Sequence, residues 1–218
     1  MTVTVSTYNA PHRLLHHGLV DDFRRLAAHS DIIVAQEQTD HDPTLTCPPG
    51  WSYYRPDVAR HNVVYWNPDT VEARKRGRVQ VNKRDGATWT RFIVWVHFGT
   101  AAGPLRVGGI HLPAFKTSRP ANAAEFRHQE RLLAQWLDGG KNRCLAGDFN
   151  AQIPSRVWTP NLSRVGRWSP KVVSGPHRAK IDYVGVSRRG RWRVRHATTM
   201  SGGSDHKAVI ATLGRNTR

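Results

Sequence analysis

Cysteine is nearly absent from this 218-residue chain. Cys47 sits in a proline-rich stretch and Cys144 inside an apolar run. Neither a disulfide framework nor a cysteine-rich zinc site is available, and a reducing compartment fits best. Acids are scarce too: Asp and Glu total 16 against 33 Lys and Arg, a formal net charge of +17. No apolar run approaches the roughly 20 residues of a bilayer-crossing helix. The opening Met1-Thr-Val-Thr-Val lacks the basic flank and apolar core of an export signal. The expectation is a cytoplasmic chain with no membrane partner, and its arginine-rich composition fits a bacterial or phage genome.

What remains suffices for one packed domain over residues 1–218. Hydrophobic residues make up 39% of the chain, with eight Trp, enough for a core, and no repeat or linker divides it. A monomer is expected. The cationic surplus matches a polyanionic partner, because basic groups neutralise phosphates and release counterions. A merely solvated basic surface is the alternative. A GC-rich coding bias would favour Arg over Lys, but not bases over acids.

Residues 3–8 alternate as a strand that stops at Asn9-Ala10-Pro11. Leu19, Phe23, Leu26 and Ala27 recur at helical spacing, and residues 31–37 form a short apolar run suited to a buried strand. A loop spans 40–50. Segments 62–66, 71–81, 89–98 and 105–111 read as antiparallel neighbours separated by turns at Asn67-Pro68, Asp85-Gly86 and Gly103-Pro104. Ser118 and Pro120 open a helix with Phe126, Leu133, Trp136 and Leu137 on one face, closed by Gly139-Gly140. Strands are predicted at 143–147, 181–187, 192–198 and 207–213. Many strands with few helices imply two packed sheets flanked by helices.

The few acids recur beside apolar runs. Glu37 ends Ile32-Ile33-Val34-Ala35-Gln36, Asp148 follows Cys144-Leu145-Ala146-Gly147, Asp182 enters Tyr183-Val184-Gly185-Val186, and Asp205-His206 precedes Ala208-Val209-Ile210. Strand ends fix side chains where rigid backbone meets solvent. Any one such acid is more often a turn or cap residue; together, with Asn9, Asn150 and His111 at further strand ends, they suit a hard, oxygen-preferring cation beside a phosphate ester.

Thr7-Tyr8-Asn9, Ala35-Gln36-Glu37, Gly109-Ile110-His111-Leu112-Pro113, Gly147-Asp148-Phe149-Asn150, Lys180-Ile181-Asp182-Tyr183 and Ser204-Asp205-His206 resemble, in order, the signature of the endonuclease/exonuclease/phosphatase superfamily, which includes deoxyribonuclease I-like enzymes. The resemblance runs from Asn9 to His206. It implies a four-layer α/β sandwich, two packed mainly antiparallel sheets flanked by helices, with a site at one end of the sheets.

The resemblance further implies Mg²⁺, with Mn²⁺ as a substitute, held mainly by Glu37 with Asp205 and Asn9. It implies that Asp148 deprotonates the attacking water and that Asn150 donates an amide hydrogen bond there. His206, held by Asp182, would face a non-bridging phosphate oxygen. His111 matches a phosphate-contacting position, without an identifiable acidic partner. Pro11 stands where some abasic-site enzymes carry an acid, which argues against a specialised repair role. Arg60, His61, Asn62, Lys116, Arg119 and Lys180 are candidates for flanking phosphates or ordinary surface residues. Trp51, Tyr53 and Tyr54 with Arg55 and Arg60, and Trp158 and Trp168 with Arg156, Arg164 and Arg167, are candidate base-stacking loops, packing being the commoner use of such rings.

The expectation is a metal-dependent phosphodiesterase acting on nucleic acid, DNA before RNA. A phosphatase or phosphodiesterase for a small or lipid phosphate, and a catalytically silent basic nucleic-acid-binding module, are the alternatives.

Overall fold

The computed structural model describes residues 1–10, 17–38, 42–59, 61–82, 90–113, 120–153, 155, 159–170, 173–175 and 179–216. Pro11, Arg60, Asp85, Gly86, Trp89, Lys116, Ser118, Arg119, Arg156 and Trp158 lie outside them. The first sheet contains β1 (Thr2–Asn9), β2 (Ile32–Gln36), β3 (Ser52–Tyr54), β4 (Asn62–Trp66), β11 (Trp192–Met200) and β12 (Ala208–Arg215). Its order is β11-β12-β1-β2-β4-β3. The second contains β5 (Val71–Gln80), β6 (Phe92–Thr100), β7 (Leu105–His111), β8 (Arg143–Asp148), β9 (Gly166–Trp168) and β10 (Asp182–Ser187), ordered β5-β6-β7-β8-β10-β9. Helices α1 (His17–Ala27), α2 (Pro43–Thr46), α3 (Pro120–Asp138) and α4 (Pro160–Val165), with a 3-10 turn at Asp57–Ala59, complete the described elements. Among the described residues no helix is long and apolar enough to cross a membrane.

The layers follow from side-chain alternation. β2 is apolar throughout because both faces are covered: Ile32 and Val34 join the core between the sheets, while Ile33 and Ala35 pack with Phe23 and Leu26 of α1. In β8, Cys144 and Ala146 face the inter-sheet core, whereas Leu145 joins Leu133 and Leu137 of α3. The result is the four-layer α/β sandwich expected, with mixed sheets: β1–β2 and β7–β8 are parallel and the remaining pairs antiparallel. The expected loop over 40–50 contains α2, whose N-cap is the Asp42 side chain accepting from Thr44 N–H. Three further elements escaped the sequence, β3, α4 and β9. Each is too short to display a period.

The two parallel pairs position the site. Parallel strands end at the same edge, so Asn9 lies beside Gln36, and His111 pairs with Asp148. Antiparallel β10 starts where β8 ends, and Asp182 pairs with Asp148. Gly109 allows the sheets to approach here, since a Cβ on it would lie 2.7 Å from Val34 Cγ1. Gly147 is more constrained. Its φ is +155°, and a Cβ would collide with the Ile110 carbonyl, which the β7–β8 ladder holds in place.

Gly147→Ala is therefore expected to lower unfolding stability by about 2–4 kcal/mol in urea titration. Gly18→Ala, where a Cβ meets nothing within 4 Å, should be neutral or stabilising by up to about 1 kcal/mol.

Candidate active site

At the shared end of the two sheets, the Asn9 amide reaches across the sandwich. Nδ2 donates to Glu37 Oε1 at 3.2 Å and to Asp148 Oδ2 at 3.0 Å. Glu37 follows β2 in the left-handed region, at φ 60°, a conformation that costs a non-glycine residue roughly 1–2 kcal/mol. Buried glutamines brace it. Gln36 accepts from Thr7 Oγ1 at 3.2 Å, and Gln38 Nε2 donates to the carbonyls of Ala10 and Gln36. Arg55 donates to the Gln38 carbonyl at 2.8 Å, so that guanidinium braces the site.

Asp148 ends β8 on the face turned toward the first sheet, the parity of Cys144 and Ala146, and is 1% exposed. Its Oδ1 accepts the Asn150 backbone N–H at 2.7 Å. Burial, then the charge of Asp182, raise its pKa; His206 and the two donated hydrogen bonds oppose that rise. Asn150, itself at φ 47°, donates its side-chain amide to the Leu112 carbonyl at 2.6 Å. That bond occupies one of the two amide hydrogens expected to face the reacting centre.

His206 Nδ1 lies 3.0 Å from Asp182 Oδ2, and its Nε2 lies 3.9 Å from Asp148 Oδ2. Burial alone would lower the imidazole pKa. The hydrogen bond and charge of Asp182, with Asp148 and Asp205, raise it to about 9 instead. A network fixes this loop. Tyr8 Oη and Gly203 N–H both donate to Asp22 Oδ2 at 2.7 Å, Ser204 Oγ donates to the Asn9 carbonyl at 2.7 Å, and His206 N–H donates back to Ser204 Oγ at 3.0 Å.

His111 Nε2 lies 3.9 Å from both Glu37 Oε1 and Asp148 Oδ2. Burial, then the charges of Arg91, His61 and His206, hold its pKa well below the usual histidine range, so the ring is neutral. Its Nδ1 is buried with no hydrogen-bond partner among the described residues. Asp205 is exposed at the rim, 3.4 Å from Ser204 Oγ, and acts on the cluster through its field on His206. Of the phosphate candidates, Asn62 is buried and donates to the Phe92 carbonyl at 3.1 Å. The second aromatic loop is used in packing: Trp168 meets Phe149 edge-on and donates to the Leu162 carbonyl, while Arg167 donates to the carbonyls of Ser187 and Gly190.

Arg91 was missed. Its guanidinium Nε and Nη1 are buried with no hydrogen-bond partner among the described residues. Burial lowers its pKa, and the charges of Glu37 and Asp148 raise it. Its only sequence signal is a basic residue entering the apolar run of β6, unremarkable among 33 bases.

Ligand atoms of Asp148, Asp182 and His206 lie within 4.8 Å of one another, close enough to share a cation. A protonated His206, however, has no lone pair for a metal. The hard donors outside that trio are Asn9 Oδ1, buried and without a partner among the described residues, the one-third-exposed Glu37 carboxylate beside it, and the exposed Asp205 carboxylate at the rim. An oxygen set of this kind fits a hard divalent ion.

No family model matches the sequence, and no curated protein matches it. Solved structures do. An endonuclease/exonuclease/phosphatase family protein from Bacteroides thetaiotaomicron superposes with a TM-score of 0.69 at 17% identity, covering 98% of this chain and 95% of that one. A mannosyl-6-phosphatase from the same organism gives 0.67 at 17%, covering 97% and 99%. D. rerio TDP2 complexed with a single-strand DNA product gives 0.74 at 13%, covering 99% of both. The chain has the endonuclease/exonuclease/phosphatase fold.

The His206–Asp182 pair gives a pH signature. The folded pKa lies above the unfolded value of about 6.5, so this stabilisation is complete below pH 6.5 and is lost as pH rises through about 9. Asp182→Asn removes the largest raising partner and leaves the burial and the weaker pull of Asp148 and Asp205. The His206 ring titration, followed by NMR, should then fall below about 9, and the decline in stability between pH 6.5 and 9 should flatten.

Proposed function

We propose that this chain is a divalent-metal-dependent phosphodiesterase that cleaves nucleic acid, DNA before RNA, by direct attack of water on phosphorus. The observation that carries it is the cross-sheet cluster, in which a buried carboxylate with a raised pKa stands 3.9 Å from an imidazolium held by a second carboxylate. A base whose pKa is lifted toward neutrality is suited to taking a proton from water. An imidazolium supplies a donor for the negative charge that grows on a non-bridging oxygen. Mere binding requires neither, and carboxylates aimed at phosphate oppose it without a cation.

Asp148 is the proposed base, oriented by Asn9 and by the Asn150 N–H. Asp182 fixes the tautomer and direction of His206. Arg91 has buried N–H groups without partners among the described residues, suited to the phosphate oxygens. Asn150 acts chiefly as a positioning residue. His111, neutral and between Glu37 and Asp148, contacts the phosphate. Asn9, Glu37 and Asp205 would hold Mg²⁺ or Mn²⁺, which supplies Lewis-acid polarisation of the phosphoryl group and charge for the leaving oxygen. The formal charge of +17 favours a polyanion over a small phosphate.

Supercoiled plasmid, single strands and a phosphomonoester, each with Mg²⁺, Mn²⁺ or chelator, test this reading. Cleavage of DNA should require metal and fall by about 10²–10⁴-fold in Asp148→Asn and His206→Ala. Release of phosphate from the monoester alone would overturn it.

Arg91→Ala should lower kcat/KM about 10–100-fold through lost charged hydrogen bonds, with Arg91→Lys recovering part of the loss. An unaltered kcat/KM would remove Arg91 from the substrate site.

A further inference from the structure

The outer edge of the sandwich carries a second built feature. β3 and β5 are edge strands of their sheets, and Arg76 of β5 standing over Tyr54 of β3 puts those edges on the same side. Between the loop that precedes β3 and the face of β5 lies a cavity of about 550 Å³, lined by Cys47, Trp51, Tyr53, Trp66 and Arg76 among others. Trp51, Tyr53 and the neighbouring Tyr54 are only half-buried, unlike the rings of the core. The Arg76 guanidinium stands 5.1 Å from the Tyr54 ring centroid.

The register of β5 extends this cavity toward the catalytic end. Arg76 pairs with Val96, Arg78 with Val94 and Gln80 with Phe92, the residue after Arg91. Val94 and Val96 belong to the core between the sheets, so Arg76 and Arg78 share the face of β5 turned toward the first sheet. They are exposed, and their Cα atoms are about 7 Å apart. From Arg76 to the end of β5 is about 13 Å. Arg76 and Arg78 therefore lead from the aromatic cavity toward the end of β5 that pairs with Phe92, the residue after Arg91.

We propose that this edge is the track of an unpaired nucleic-acid strand leaving the active site, with a base stacked in the Trp51–Tyr53 cavity and phosphates on Arg76 and Arg78. The inference rests on the phosphodiesterase reading and specifies its substrate. Flat rings beside a row of guanidiniums match a ligand that alternates flat heterocycles with anionic groups. An acidic peptide supplies the charge without the rings. A duplex keeps its bases stacked and would have to unstack one to fill the cavity.

The test is binding of a fluorescently labelled 12-nucleotide single strand, read by anisotropy in chelator so that turnover does not enter. Arg76→Ala/Arg78→Ala and, separately, Trp51→Ala should each weaken binding about tenfold. The double variant should also reduce the dependence of log K on log salt by about 1.4. Arg191→Ala, which removes an exposed charge elsewhere, should change binding less than twofold. The double arginine variant alters only exposed side chains, so it decides the matter should the tryptophan variant fold poorly. Unchanged binding in that variant would overturn the proposal, as would tighter binding of a duplex than of the single strand, or equal competition by poly-glutamate. Hydrolysis with metal present is scored apart. Edge-dependent binding without cleavage of any nucleic acid would sink the phosphodiesterase reading and leave this one standing.

Discussion

The hydrogen bonds of one asparagine close the two sheets over each other at the end where the acids collect. Asn9 ends β1, Glu37 follows β2, and Asp148 ends β8 in the opposite sheet, yet a single Nδ2 serves both carboxylates. Residues 9 and 148 are brought together only by the stacking of complete sheets. The site therefore exists only once the core between the sheets has formed. Ser204, donating to the Asn9 carbonyl, adds the loop that carries His206. A glutamate in the left-handed region is tolerable here because Gln36, Gln38 and Arg55 brace the backbone on both sides of it.

The basic surplus divides into two populations with different uses. Arg188 and Arg189 follow β10, Arg193 and Arg195 lie in β11, and Arg215 ends β12; each donates to a backbone carbonyl, as Arg143 and Arg167 do. Among the described residues none of these seven forms an ion pair. Their guanidiniums act as structural clasps on turns and strand ends, where exposed carbonyls would otherwise rely on water. A formal charge of +17 thus overstates the number of groups offered to a phosphate backbone. Among the described residues Arg76 and Arg78 on β5 clasp no carbonyl, Arg76 standing over the Tyr54 ring instead, and their charge also protects an edge strand from pairing with other chains.

Much of the site was legible in the sequence because its residues follow a rule of position. An apolar run of five or six residues bounded by turn signals is too short for most helices and reads as a strand, and a lone acid or amide at its end then lies at the sheet's edge. That argument reaches Asn9, Glu37, Asp148 and Asp182 without any knowledge of pairing. It does not reach parallel against antiparallel order, which decides that Asn9 and Glu37 share an edge. Nor does it reach Arg91, where the informative property is burial without a partner, a feature created by tertiary packing. The aromatic loops show the same limit: the two clusters look alike in sequence and both pack, Trp168 against Phe149 and Tyr53 against Tyr65, yet Trp51 and Tyr53 also border a cavity.

The cluster also carries opposed deficits. Asn9 Oδ1 and Asp182 Oδ1 are buried acceptors without donors, and Arg91 Nε and Nη1 are buried donors without acceptors, among the described residues. Each deficit costs on the order of 1–3 kcal/mol, borne by the three hydrophobic clusters rather than relieved within the site. A cation held by Asn9 and Glu37 would answer the Asn9 acceptor and ease the raised carboxylate of Asp148, but would leave Arg91 unmatched. A phosphate would answer Arg91 and His206, but would meet the repulsion of Glu37 and Asp148. The two together would answer both Asn9 and Arg91. Because coupling between two ligands is reciprocal, metal and phosphate should each tighten the other's binding, and that mutual dependence follows from the orphaned atoms before any chemistry occurs.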